Sequence, residues 1–164
     1  MSHQPVIDAA EFAAAGAKQQ GVLPLSGFPR LRDVLASDAG EIAYEIEGAR
    51  DSRGRLGLRI RVRGSVPLRC QRCLEPMAYA VSSDELLVLA ASQAEIDAEP
   101  AGVDAPDRVV AANDMPVSDL VEDELILAVP YAPRHAGCAG RQAAGEATKT
   151  LPFAHLRGLM RDRH

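Results

Sequence analysis

Between Glu41 and Val62 the chain repeats with a period of two, a pattern that few folds can absorb. Ile42, Tyr44 and Ile46 alternate with Glu41, Ala43, Glu45 and Glu47. After the turn-forming stretch Gly48 to Gly54, Leu56, Leu58, Ile60 and Val62 alternate with Arg55, Arg59, Arg61 and Arg63. Successive side chains of a strand point to opposite faces, so two such runs joined by a turn predict a hairpin with one apolar and one charged face. An extended pattern resumes from Met77 to about Leu89 and predicts a third strand, antiparallel to these. The expected fold class is α+β: an antiparallel β-sheet or partial barrel core with short flanking helices, in a single domain.

Around this core the punctuation is helical. Asp8 to Lys18 is alanine-rich, with Asp8 placed as an N-cap. Phe28 to Leu35 reads as a short helical stretch with Leu31, Val34 and Leu35 on one face. Ala91 to Asp107, rich in Ala, Asp, Glu and Pro, reads as a mobile loop, and Arg108 to Ala112 as an edge strand. Ser118 to Ala128 predicts a helix with a polar N-cap and acids in its first turn, ended by Pro130 and Pro133. Pro152 to Met160 closes the chain as a short amphipathic helix. The expected organisation is an N-terminal helical or irregular extension (1–40), an α+β core (41–138), and a linker with a C-terminal short helix (139–164).

The 164 residues suit one domain with a real core. Hydrophobic residues make up 47% and aromatics only 4%, without tryptophan, so aliphatic side chains must fill that core. No run approaches the roughly 20 apolar residues of a membrane helix, and Met1 to Asp8 lacks the basic-then-apolar pattern of a signal peptide. A cytoplasmic location is expected. In that compartment three cysteines are poor material for structural disulfides, and a close pair points to metal or redox chemistry.

Two of the three cysteines form Cys70-Gln71-Arg72-Cys73; the third, Cys138, closes His135-Ala136-Gly137-Cys138 with the same spacing. Cys70, Cys73, His135 and Cys138 together would make a Cys3His set, a combination that suits structural zinc, because thiolate and imidazole match a borderline-soft ion. Four protein ligands would close the coordination, which fits a clasp better than a catalytic metal. The alternative is two metal-free loops. A redox role would place the pair at a helix N-terminus. Pro76 discourages helix at that point.

Net charge is -5, yet eight arginines lie between Arg50 and Arg72 against the single acid Asp51. Same-face residues on a strand lie about 6–7 Å apart, so Arg59, Arg61 and Arg63 form a row able to track phosphates. The competing reading is cross-strand ion pairing with Glu41, Glu45 and Glu47. Arg69 and Arg72 have no such partner in the sequence pattern. From Asp84 to Glu124 twelve acids face only Arg108. A solvated helical turn beside the apolar Leu120, Val121 and Leu125 accounts for Asp119, Glu122, Asp123 and Glu124. No Ser-His-Asp arrangement, phosphate-cradling glycine loop or dinucleotide fingerprint is present, so no catalytic residue is assigned.

The runs Val66-Pro67-Leu68-Arg69-Cys70-Gln71-Arg72-Cys73-Leu74-Glu75-Pro76-Met77 and Asp119-Leu120-Val121-Glu122-Asp123-Glu124-Leu125-Ile126-Leu127-Ala128-Val129-Pro130, in that order, resemble the YceD family of large ribosomal RNA subunit accumulation proteins. A looser pattern extends from about Glu41 to Pro152-Phe153-Ala154. The resemblance implies a cytoplasmic, non-enzymatic factor supporting accumulation or processing of large-subunit (23S) ribosomal RNA. Its implied partners are that RNA or a pre-ribosomal particle, and a ribosomal protein; a membrane is not among them. Some members resemble this chain in carrying a His-and-Cys segment after the acidic helix and others lack cysteines, so zinc does not follow from membership. Arg59, Arg61, Arg63, Arg69 and Arg72 are then the expected RNA or partner contacts. Two rival functions are an adaptor that docks a ribosomal protein without touching RNA, and a zinc-dependent RNA hydrolase.

Overall fold

The alternation that begins at Leu56 runs well past Val62. In the computed structural model, which describes residues 5–99, 102 and 105–138, strand β4 (Leu56–Arg69) keeps its even-numbered residues inward through Leu58, Ile60, Val62, Val66 and Leu68. It is flanked by β3 (Glu41–Arg50) and β5 (Pro76–Ala90), both antiparallel to it. Ile46 faces Ile60 and Tyr44 faces Val62 across the β3–β4 ladder, so the apolar sets of both strands share one face. Complete burial of such aliphatic side chains stabilises the fold by about 1.5–3 kcal/mol each.

Among the described residues the sheet has five strands in the order β2-β3-β4-β5-β6, with β2 (Lys18–Pro24) antiparallel to β3 and β6 (Arg108–Val110) parallel to β5. It is open and mixed, and does not close into a barrel. A separate two-stranded pair joins β1 (Val6–Ile7) to β7 (Met115–Pro116). The architecture is a single α+β domain, with α1 (Ala9–Ala14), the segment 25–35 and α3 (Val117–Ala128) supplying the layer over the apolar face. At Gly48 an added Cβ would sit 2.6 Å from the carbonyl oxygen of Phe12, which shows how closely α1 lies on β3. Asp8 caps α1 as expected, accepting from the backbone N–H of Glu11 at 2.8 Å.

Four expectations change. The described part of residues 1–40 is no appendage: β2 is an edge strand of the main sheet, and Leu25, Phe28, Leu31 and Leu35 are buried in the core. Phe28 to Leu35 forms turns rather than a helix, because its backbone pairs with β4 instead: Ala36 N–H donates to Pro67 O at 2.7 Å and Arg69 N–H to Val34 O at 3.2 Å. The stretch 91–107 contains a helix, α2 (Gln93–Ala98), capped by the Ser92 hydroxyl accepting from Glu95 N–H. The acids of α3 are not all solvated, since Glu122 and Glu124 are 3% and 7% exposed. The expected helix at Pro152–Met160 lies outside the described residues.

Glu122 anchors the segment 29–35. Its Oε1 accepts from the backbone N–H groups of Arg30, at 2.6 Å, and Leu31, at 3.2 Å; Oε2 accepts from Arg30 Nε at 2.9 Å. Arg30 also reaches the Asp123 carboxylate and the Asp119 carbonyl. Removing this carboxylate strands two backbone donors, so Glu122→Ala is expected to cost about 2–4 kcal/mol of unfolding free energy in urea titration, and Glu122→Gln less, because an amide oxygen still accepts.

Glu124 accepts from the Ser83 hydroxyl. Burial pushes its carboxyl above the ordinary value of 4.5; the Ser83 bond opposes this, and Glu85 and Asp107 add to it. The native state therefore holds this proton more tightly than the unfolded chain. Its contribution to stability is complete below about 4.5 and is lost as pH rises through the elevated native value. Glu124→Gln should flatten the decline in unfolding free energy above pH 4.5, measured by denaturation across a pH series.

Candidate metal centre

Because the even residues of β4 face inward, Cys70, one position beyond the strand, is fully buried. The chain then reverses in a tight turn. Leu74 N–H donates to Cys70 O at 2.9 Å, Cys70 N–H to Glu75 O at 3.0 Å, and Leu74 takes a left-handed conformation (φ 65°) that brings Pro76 into register opposite Arg69. Cys73 thus sits at the tip of the β4–β5 hairpin. This is not a helix N-terminus, the setting in which a reactive Cys-x-x-Cys is poised.

The second arm follows α3. Pro133 is buried, and its carbonyl accepts from Gln71 N–H at 2.8 Å. His135 to Cys138 forms a turn closed by Cys138 N–H donating to His135 O at 3.2 Å, with Gly137 at φ 71°. Arg72 donates across to the Cys138 carbonyl. These cross-links bring four ligand atoms, from Cys70, Cys73, His135 and Cys138, within 4.8 Å of one another.

Their spacing suits a tetrahedral ion. Zn–S bonds near 2.3 Å and Zn–N bonds near 2.0–2.1 Å imply edges of about 3.8 Å between sulfurs and roughly 3.5 Å between sulfur and nitrogen. The Cys70 and Cys138 sulfurs lie 3.9 Å apart, and Cys73 Sγ lies 3.4 Å from His135 Nδ1. A disulfide would need about 2.05 Å. His135 Nε2 is 3.1 Å from Pro76 O. That contact fixes Nε2 as the protonated nitrogen and turns Nδ1 toward the sulfurs, the outer-shell arrangement usual for a histidine ligand.

The electrostatics favour a thiolate at the buried position. Backbone N–H of Cys73 is the main influence lowering the Cys70 thiol to about 5; burial opposes it, and the N–H groups of Arg72 and His135 assist. Cys73 moves upward: the Glu75 N–H pulls it down, but burial and the sulfurs of Cys70 and Cys138 outweigh that pull. Cys70 raises His135, with help from the Pro76 carbonyl and against burial. Crowded sulfurs that resist sharing negative charge are what a divalent cation would neutralise.

The five arginines divide. Arg59, Arg61, Arg63 and Arg69 all stand on the outward face of β4. Arg59 Nε pairs with Asp84 at 2.6 Å, while Arg61 reaches Glu45, Glu47 and Asp84. The cross-strand reading therefore holds as expected for Arg61, through Glu45 and Glu47, whereas Arg59 is held by Asp84 of β5 instead, and Glu41 takes no part among the described residues. Arg63 and Arg69 are exposed, and no described residue forms an ion pair with either. Arg72 has the Cys138 carbonyl as its partner. Neither that carbonyl nor the one of Pro76 leaves a side-chain signal, so sequence reading had no means of finding them.

No helix among the described residues is long and apolar enough to cross a membrane. No solved structure matches the chain. The sequence model of the family described as "Large ribosomal RNA subunit accumulation protein YceD" matches residues 58–159, a span that includes both Cys and His pairs and α3.

Freshly purified protein is expected to carry close to one zinc per chain by elemental analysis. Cys70→Ser with Cys73→Ser should reduce that to background. Much less than one zinc in the unmodified protein speaks against the site.

Proposed function

The chain belongs to the YceD family, and on that basis we propose that it is a non-enzymatic ribosome biogenesis factor supporting accumulation or processing of large-subunit ribosomal RNA. Family membership is the observation that carries this reading. In it, the protein works in the cytoplasm on a pre-ribosomal particle. Cys70, Cys73, His135 and Cys138 hold a structural zinc ion, whose chemistry there is charge neutralisation and cross-linking. Four protein ligands leave no open coordination position for a metal-activated water, which weighs against the hydrolase alternative.

The contact face is the outer surface of the sheet at its hairpin end. Arg63 and Arg69 are separated by about 20 Å of strand. Between them lie Ser65 and Pro67 on β4 and Ala78, Ala80 and Ser82 on β5, all small and uncharged. A phosphate backbone can approach this flat area without displacing a carboxylate partner, as it would have to at Arg59 and Arg61. Arg72 serves the site indirectly, by holding Cys138.

Charge reversal at Arg63 and Arg69 together should lower co-sedimentation with large-subunit precursors and reduce the salt dependence of RNA binding by about two phosphate contacts, while thermal stability and zinc content stay unchanged. Undiminished co-sedimentation of a folded Arg63→Glu, Arg69→Glu protein would remove this face from consideration.

A further inference from the structure

Strand β5 is paired on both edges for only a small part of its length. β4 borders it from Pro76 to Val88, whereas β6 meets only Val88 to Ala90. Val88 N–H donates to Asp107 O at 2.8 Å and Ala90 O accepts from Ala111 N–H at 2.9 Å, so even-numbered residues turn their amide groups to the β6 side. The strand's alternation aims the N–H and C=O groups of Ala78, Ala80, Ser82, Asp84 and Leu86 the same way. Among the described residues no hydrogen bond reaches them.

An open edge of this length is usually guarded by lysine, proline, a bulge or a covering element. Here Ala78, Ala80 and Ser82 are small, and the one charged side chain, Asp84, is engaged by Arg59 and Arg61. Beside the edge runs a cleft of 550 Å³, bounded by Tyr79, Ser83, Glu85, Asp107, Glu124 and Leu127. Leu127 is 72% exposed. Glu85, Asp107 and Glu124 crowd three carboxylates around the cleft, and no described residue forms an ion pair with any of them.

We propose that the free edge of β5 docks an extended, basic segment of a partner protein, which adds as a further strand and directs alternate lysine or arginine side chains toward Glu85, Asp107 and Glu124. Backbone pairing supplies the affinity in this mode of recognition, and the pockets beside the edge select alternate side chains. The charge decides among occupants. Three carboxylates repel a nucleic-acid backbone, and pairing of β5 with a second copy of itself would bring the two acidic clusters together. The edge adjoins the arginine-bearing area, since Ala78, Ala80 and Ser82 border both, but it engages backbone groups and the acidic cleft and does not depend on RNA binding at Arg63 and Arg69.

The test is amide hydrogen exchange on the full-length chain, using an octapeptide of alternating lysine and valine as probe. Addition of the peptide should slow exchange at Ala78, Ala80, Ser82, Asp84 and Leu86 by about tenfold or more, leaving the odd-numbered amides, already paired with β4, unchanged. A glutamate–valine octapeptide, or the lysine–valine peptide N-methylated at every residue so that neither of its edges can donate, should have no such effect. Ser82→Pro should abolish the protection while preserving the circular dichroism spectrum; because the N-methylated probe acts on the unaltered protein, a folding defect in that variant does not decide the matter. The proposal is overturned if the peptide protects none of the five amides or if either control peptide protects them equally. It is also overturned if they are already protected in the free chain, which would assign the edge to residues 139–164 or to a second copy.

Discussion

The in-and-out phase of β4 governs the molecule. From Leu58 to Cys70 the even positions face the core without a slip, and a one-residue shift would exchange the two faces of the strand. That single phase buries the aliphatic row beneath α3 and sends Arg59, Arg61, Arg63 and Arg69 outward. It also delivers Cys70 into a place where water is excluded and backbone N–H groups favour its thiolate. The cysteine–histidine cluster and the arginine face thus belong to opposite sides of one strand. A change that disturbed its register would remove both.

A second constraint runs between elements far apart in sequence. Glu122 holds the segment 29–35 to α3, and that segment in turn borders the last residues of β4 through Ala36, Val34 and Arg69. From there the hairpin tip contacts the chain after α3, through Gln71 and Pro133. The middle of α3, through Glu122, and the chain that follows it, through Pro133, are therefore both tied to the end of β4 that carries the cysteines. A buried carboxylate is costly unless its acceptors are filled, and here two backbone donors and a guanidinium fill them.

Much of this was legible in the residues. Ile42, Tyr44 and Ile46 against Leu58, Ile60 and Val62 announced the hairpin by periodicity alone, and the matching Cys-x-x-Cys and His-x-x-Cys spacings marked the four ligand candidates. β2 was hidden because Lys18–Pro24 alternates between exposed and half-buried residues and has no strongly apolar face. The turns at 28–35 were hidden because their partners are backbone groups of β4 and a carboxylate more than ninety residues away. Glu124 was readable but passed over: it lies three and four positions after Val121 and Leu120, and helical spacing alone puts it on the buried face. The Glu45 and Glu47 partners of Arg61 followed from strand alternation, whereas Asp84, which holds Arg59 and Arg61 from β5, depends on a register that alternation alone does not fix, and the partner of Arg72 is a carbonyl oxygen.

The four ligand atoms also carry a statement about time. Cys70 and Cys73 come together within one hairpin turn, but His135 and Cys138 reach them only after β5, β6 and α3 have been laid down in the intervening chain. Neither pair alone offers more than two donors, and closing a loop of this length gives no return until the structure in between is in place. Whatever fills the cluster can be captured only by a molecule whose sheet and helical layer are already assembled. The cluster is in this sense a record of completed folding, written at the point where the β4–β5 hairpin meets the last residues of the described chain.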